Sequence, residues 1–503
     1  MIDGSTTSHL PPTSHLRPGE TCWRIERADR LAVIIDAADY FATVREAIVN
    51  ARHSVYLIGW DFDTRIKLAR PNTLPGVPNR LGKLLTWCVS KRKDLRIYVL
   101  RWDLGAFNAL GRGSTPLVLL DWMTDKRIRF RLDGAHPTAS AHHQKIVVID
   151  DAMAFCGGID MTADRWDTRA HLDKDPGRRR PTTKRRYKPW HDVSTAVDAD
   201  AARALGDLAR ARWYSATGET LEPPPPVESP WPDRLKPTMQ NVDVAISRTM
   251  PDYNGEAGVH EIEELLLDVI AKARKTLYIE SQYFASRKIT EAMVSRLEEP
   301  DGPEIVIINP ETANGWVEEE VMGASRARML EVIDEAEHAD RFRIYNPVTT
   351  KRAPIYVHAK VMIVDDCFLK VGSSNLNNRS MGFDTECDLS VEVRPDDPNA
   401  QATSRAILDL RHDLLAEHLG TDMATLEATL ERTNGSLIRA IESLRTDTKS
   451  LVLFDVEAAG ANGSSLLAES TLLDPDRATT RWKGIKRLWS GTKRLFGMTG
   501  SDA

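Results

Sequence analysis

Residues 143–150 read HQKIVVID, and residues 358–365 read HAKVMIVD. Both fit the pattern HxKxxxxD. Each runs on into a second apolar stretch, AMAFCGGID ending at Asp160 and CFLKVGSSN ending at Asn375. The aliphatic residues between Lys and Asp read as a buried strand. The Asp-Asp pairs at 150–151 and 365–366 suit a tight turn into a partner strand. Residues two apart on a strand face the same side, so each His is expected to project with its Lys. Removing an imidazole and an ammonium from water among apolar neighbours is costly unless something compensates. A phosphate gripped by both copies would do so.

Working outward, the repetition extends over most of the chain. Residues 40–62 (YFATVREAIVNARHSVYLIGWDF) and 263–284 (EELLLDVIAKARKTLYIESQYF) each read as an amphipathic helix followed by a short apolar strand. Further pairs are LRIYVLRWD with PEIVIINPE, and RIRFRLDG with RFRIYNP. The expected order in each half is helix, strand, helix, strand, helix, strand and strand hairpin. Alternating strands and helices imply an α/β fold with a helix-covered sheet. LEPPPPVESPWPDRLKP, residues 221–237, reads as a semi-rigid proline linker between halves 26–220 and 238–420. Residues 1–25 read as an extension and 421–503 as a helical region with a basic tail.

The 503 residues are 42% hydrophobic with a formal net charge of -6, which excludes a general polyanion binder and points away from nucleic acid. Cys22, Cys88, Cys156, Cys367 and Cys387 are scattered without a CxxC pair, so neither a metal site nor a disulfide framework is expected, and no cofactor. The first twenty residues lack an apolar core for a secretory signal, and no apolar run reaches eighteen residues. The expectation is a monomeric cytoplasmic protein, peripheral at a membrane; export without a cleaved signal is compatible with it. In RWKGIKRLWSGTKRLFG (481–497), Trp482, Ile485, Leu488, Trp489, Leu495 and Phe496 fall near helical spacing among six basic residues, the pattern of an interfacial membrane helix. Docking onto the protein body is the alternative. The basic run RRRPTTKRRYKPW (178–190) suits either a solvated loop or a contact to anionic headgroups.

A phosphodiester repels anionic nucleophiles. Lys145 and Lys360 can offset its charge, one of His143 and His358 can attack phosphorus, and the other can protonate the leaving alcohol. The symmetry of the repeat leaves the two roles open. Each imidazole needs an acceptor on its other nitrogen. Asp192 in PWHDVSTAV aligns with Glu386 in DTECDLSVEV; Asp192 is expected to orient His143, and Glu386 to orient His358. Asp150 and Asp365 are expected to brace turn or backbone amides. His142 falls outside the Lys spacing and is expected to line solvent or the pocket. His191, Trp60, Trp166 and Trp190 suit either the pocket wall or simple packing.

The two HxKxxxxD copies, with GGIDMTADRWDT (157–168), PWHDV (189–193), YIESQYF (278–284) and VGSSNLNNRSMGFDTE (371–386), resemble the phospholipase D superfamily, and phospholipase D enzymes proper within it. The resemblance covers most of residues 30–420. It implies two similar α/β sandwich halves about a pseudo-two-fold axis, with one site between them. It also implies hydrolysis or transphosphatidylation of the distal phosphodiester of glycerophospholipids to phosphatidate through a phosphohistidine, without a metal. His143 is then the nucleophile and His358 the general acid and base. Asn375, Ser373, Gln282, Trp166 and His191 become candidate substrate contacts. Asp160 stands where Asn is common in the family and is expected at the pocket edge or in a structural role. The alternatives are a cardiolipin synthase-like transferase and a nuclease. Transferases of that kind often begin with hydrophobic membrane segments, and superfamily endonucleases often carry one motif and dimerise.

Overall fold

The chain's computed structural model describes residues 14–103, 125–312 and 316–454, with 316–324 as backbone. Two long strands lie at its centre, β1 (Arg24–Ile35) and β9 (Met239–Met250), paired antiparallel from Arg24↔Ile246 to Leu31↔Met239. Neither was expected from the sequence, and β1 opens within the expected extension. Their charged residues, such as Arg24, Glu26 and Arg27, interrupt the apolar pattern that marks the other strands.

In the first half follow β2 (Ser54–Gly59), β3 (Arg96–Trp102), β4 (Ile128–Asp133), the hairpin of β5 (Ile146–Ile149) and β6 (Met153–Gly157), the short β7 (Trp190–His191) and β8 (Val193–Asp198). In the second follow β10 (Val259–His260), β11 (Thr276–Glu280), β12 (Glu304–Ile308), β13 (Phe342–Val348), the short β14 (Tyr356–Val357), the hairpin of β15 (Val361–Val364) and β16 (Phe368–Gly372), and β17 (Glu386–Glu392). Strand order through the sheet is β4-β3-β2-β5-β6-β8-β1-β9-β17-β16-β15-β11-β12-β13-β18, where β18 is Ser450–Leu453. Read outward from β1 and β9, the two arms are equivalent strand for strand as far as β4 and β13, beyond which β18 adds one strand to the second arm. The pseudo-two-fold axis therefore runs between them, as expected for paired α/β halves. The helical stretch expected between β3 and β4 lies outside the described residues.

Side chains alternate across the sheet. Tyr56 and Ile58 join a central core with Tyr278, shared by helices Ala199–Thr217 and Ala400–Leu419. Val55 and Leu57 face an outer core under helices Ala37–Asn50 and Leu81–Lys91. Leu277 and Ile279 face its counterpart under Glu261–Lys272 and Arg287–Leu297. Residues 221–237 contain no helix or strand. Beyond residue 420 come helices Met423–Arg432 and Leu437–Leu444, then a strand, β18 (Ser450–Leu453), antiparallel to β13. The basic segment 481–497 lies outside the described residues. No helix among the described residues is long and apolar enough to cross a membrane.

The hairpins repeat down to single atoms. Asp150 and Asp151 take φ of 54° and 52°, and Asp365 and Asp366 take 51° and 57°. Two successive positive φ values fit a tight turn matched to strand twist, and Asp tolerates them. The Asp150 carboxylate accepts the amides of Arg52, His53 and Ser54 at 2.6–2.7 Å. Asp365 accepts those of Arg274, Lys275 and Thr276 at 2.7–2.9 Å. Each motif aspartate thus ties its hairpin to the link between the first helix of its half and the strand that follows it. Asp150→Ala strands three amides and should destabilise by about 2–4 kcal/mol. Asp365→Ala should cost less, because the Arg274 and Lys275 amides are more exposed. Urea unfolding checks both, and equal stability of Asp150→Ala and the native chain would refute the assignment.

Candidate active site

His143 and Lys145 lie in extended chain just before β5, and His358 and Lys360 just before β15, rather than within the strands. Freed of a sheet neighbour, these segments pair across the axis. The His143 amide donates to the Thr385 carbonyl at 3.0 Å, and the His358 amide donates to the His191 carbonyl at 2.8 Å. β14 runs parallel to β7, with Tyr356↔Trp190 and Val357↔His191 in register.

This pairing overturns the expected assignment of acceptors. His143 Nδ1 lies 3.0 Å from both Glu386 carboxylate oxygens, and His358 Nδ1 lies 2.8 Å from Asp192 Oδ2. Each half orients the other half's imidazole. The reason is distance. Within one half, β6 intervenes between β5 and β8, a gap of about 9–10 Å at the usual strand spacing. Across the axis, Thr385 and His191 are already hydrogen-bonded to the histidine backbones, which brings the next residue, Glu386 or Asp192, beside the ring.

The supports of the two acceptors differ. Glu386 is fully buried and accepts Ser373 Oγ at 2.6 Å and Ser380 Oγ at 2.7 Å. Asp192, one methylene shorter, accepts the Val193 amide at 2.9 Å. It packs against Gly158, where a Cβ would sit 2.1 Å from Asp192 Oδ1. Ser373 occupies the equivalent position in the second half, so it holds Glu386 rather than reaching into the site.

Both lysines are buried. Lys145 Nζ donates to the His143 carbonyl at 2.8 Å and lies 3.3 Å from Asp160 Oδ2. Asp160 Oδ1 also accepts the Trp60 amide at 3.0 Å, so Asp160 anchors Lys145 as well as the loop after β2. Lys360 Nζ donates to the His358 carbonyl at 2.5 Å and to Gln282 Oε1 at 3.2 Å. Gln282 in turn donates to the hydroxyls of Tyr283 and Tyr356. Asn375 Oδ1 is buried without a hydrogen-bond partner among the described residues.

Burial, then Lys145 and Lys360, holds the His143 imidazole well below its usual pKa. Burial, then Lys360, Arg165 and Lys145, does the same to His358. Each ring therefore lies within electrostatic reach of both ammonium groups. Burial also draws Lys360 down to about 7, and raises Asp192 to about 7 and Glu386 to about 8. All these groups resist charge in the same low-dielectric centre. An anionic phosphodiester among them would favour charged lysines and supply what the motif pair lacks.

Other expected residues fall elsewhere. His191 is fully buried on the far side of its segment, with Nε2 2.8 Å from Glu280, and does not reach the site. Trp166 belongs to the first half's outer core, with Arg70 stacked on it. His142 is buried between Asp133, Thr385 and Arg212. Of the tryptophans, Trp190 adjoins the site, 5.1 Å from the His358 ring, while Trp60 stacks on Trp102. Arg178 is buried on Asp167, whereas Arg179, Arg180 and Lys184 line a cavity with Arg65, Lys67 and Arg70. Four cysteines are buried free thiols; Cys367, at its hairpin turn, is partly exposed. Arg165 was missed. It is buried, its guanidinium lies 4.2 Å over Trp190, and it acts on His358, Asp192 and Lys360. In sequence it is one arginine among many, with nothing to mark it.

The fold and site thus define a duplicated α/β chain with two histidine–lysine pairs facing one centre. A family profile described as "Cardiolipin synthase, PLD-like domain" matches residues 266–405. The chain is 25% identical over 479 residues to phospholipase D A of Dictyostelium discoideum, covering 79% of this chain and 36% of that one. It is 24% identical over 519 residues to phospholipase D alpha 1 of Vigna unguiculata, covering 75% and 63%. This chain therefore spans about a third to two thirds of the length of these curated relatives. Its fold is similar to that of phosphatidylserine synthase from Haemophilus influenzae Rd KW20, with TM-score 0.51 and 13% identity over 83% of this chain and 97% of that one. Over most of its length the chain is thus similar to enzymes of the phospholipase D superfamily.

The crossed acceptors give a direct expectation. In Glu386→Gln, the ring-nitrogen NMR signals of His143 should shift while those of His358 stay within line width. Asp192→Asn should do the reverse. A Glu386→Gln response confined to His358 would restore pairing within each half.

Proposed function

We propose that this chain is a phospholipase D, releasing the headgroup of a glycerophospholipid as a free alcohol. The observation that carries the reading is the crossed pair of carboxylate-held imidazoles with a buried lysine beside each. Nδ1 of each ring is committed to its carboxylate, which leaves Nε2 for chemistry. With the bound anionic diester favouring a protonated His358 ring, the His143 Nε2 lone pair attacks phosphorus; the P–O bond to the headgroup breaks, and its oxygen takes the Nε2 proton of the His358 imidazolium. His358 then removes a proton from water or an alcohol, whose oxygen attacks phosphorus as the P–N bond breaks. Lys145 and Lys360 stabilise the charge on the non-bridging oxygens throughout. Gln282, which accepts from Lys360 Nζ, and Asn375, whose Oδ1 has no hydrogen-bond partner among the described residues, would serve as headgroup or phosphate contacts. The curated relatives named phospholipase D support this reading. The family description naming cardiolipin synthase supports a second, in which a lipid alcohol replaces water.

Mixed phospholipids with ethanol should give phosphatidylethanol; cardiolipin formed from phosphatidylglycerol would favour the second reading, and plasmid nicking with lipids untouched would refute both. His143→Ala and His358→Ala should each lower turnover by at least about 10³-fold. Lys360 loses its proton as pH rises through about 7, so kcat/KM on a soluble short-chain substrate should fall above that pH. A flat profile from pH 6 to 9 would remove Lys360 from the charge-stabilising role.

The enzyme would work at a membrane surface, with the basic cavity around Arg179 and Arg180 against anionic headgroups. Reversing both charges should weaken cosedimentation with phosphatidylglycerol vesicles by about tenfold or more. Unchanged binding would locate membrane contact elsewhere.

A further inference from the structure

Behind Asp192 lies a second polar cluster that the chemistry above does not use. Asp36, His171, His191 and Glu417 are all buried, and one side-chain atom from each falls within 4.8 Å of the others. His171 Nε2 lies 3.0 Å from Glu417 Oε1 and 3.4 Å from Asp36 Oδ2. His191 Nδ1 lies 3.3 Å from Glu417 Oε1 and 3.3 Å from Asp36 Oδ1. A tetrahedral ion with bonds of about 2.0–2.1 Å separates its ligands by about 3.3 Å.

The far ring nitrogens are held as metal-bound histidines are usually held. His171 Nδ1 lies 3.1 Å from Asp167 Oδ2, and His191 Nε2 lies 2.8 Å from Glu280 Oε2. A carboxylate behind each imidazole fixes the tautomer and raises its basicity toward an ion. Glu280 is itself held by Tyr278 and His418. Meanwhile, Asp36 Oδ2 and His191 Nδ1 have no hydrogen-bond partner among the described residues, although both side chains are fully buried. Orphaned polar atoms converging on one point are a costly arrangement for a protein alone. Asp36 also stands at the N-cap position of helix Ala37–Asn50, with φ 67°, yet its side chain does not cap the helix; it turns into the cluster.

We propose that Asp36, His171, His191 and Glu417 form a two-histidine, two-carboxylate site for one structural divalent ion of the zinc class. Asp36, His171 and His191 come from the first half, and Glu417 from helix Ala400–Leu419 of the second. The ion would clamp the halves together one residue from Asp192, whose amide donates to Asp36 Oδ1 at 3.2 Å. It would position Asp192 without touching substrate. Around the centre stand the carboxylates of Asp36, Asp167, Glu280 and Glu417. The cations near them are Arg178 on Asp167, Arg169 on Glu417 and Lys449 beyond. The alternative occupants are protons. Burial opposes it, but Asp36, Asp167 and Glu417 push His171 up to about 9, so the same cluster could hold imidazolium ions instead.

Metal content separates the two, independently of turnover. The full chain, produced in zinc-supplemented medium and gel-filtered, should carry about one equivalent of zinc per chain by elemental analysis. After chelation, cobalt(II) should restore the visible absorption bands of a tetrahedral ion. Removing the metal should lower Tm by several degrees. Glu417→Gln and His171→Gln should lose both metal and bands. Less than about 0.1 equivalent of any transition metal, with no cobalt bands in a folded wild-type chain, would overturn the proposal in favour of protons. The wild-type measurements decide even if the variants fail to fold.

Discussion

Two hydrogen bonds across the axis, His143 to Glu386 and His358 to Asp192, are the interactions on which the rest of the arrangement depends. An imidazole buried beside two lysines keeps a defined tautomer only when an acceptor fixes its far nitrogen. Neither half can supply that acceptor for itself, because β6 stands between the histidine segment and its own carboxylate strand. The site therefore exists only when the halves are docked in register. The long antiparallel pair β1 and β9 sets that register.

The equivalent positions are alike in backbone but not in chemistry. Glu386 reaches its histidine with the longer side chain and is held by two serine hydroxyls; Asp192 reaches with the shorter one against a glycine. Lys145 is anchored by a carboxylate, Asp160, and Lys360 by an amide, Gln282. Arg165 adds positive charge on the His358 side. The two imidazoles therefore sit in different fields, which is the physical condition for one to serve as nucleophile while the other handles protons.

Much of this was legible in the sequence. The repeat, the His–Lys pairs, the turn aspartates and the two acceptors were all visible, because each is a local pattern that occurs twice. Which acceptor serves which histidine was not, since a repeat in sequence does not reveal whether contacts stay within a copy or cross to the other. The central strands β1 and β9 were hidden by their charged residues. His191 and Asp192 are adjacent in sequence, but neighbouring residues in extended chain face opposite ways. One meets the second histidine and the other the buried cluster with Glu280 and Glu417. Trp166 and Trp190 looked alike as aromatic residues, and only packing separates the core residue from the one beside His358.

The exchange of carboxylates has an evolutionary consequence. A single repeat unit could have been active only as a symmetric pair, since each copy would have lent its acid to the other. In such a pair, any change to the acceptor would have appeared on both sides of the one site at once. Fusing the copies into one polypeptide removed that restraint. From then on Glu could stand on one side and Asp on the other, and Asn375 opposite Asp160, so that positions once identical by symmetry could take up different work.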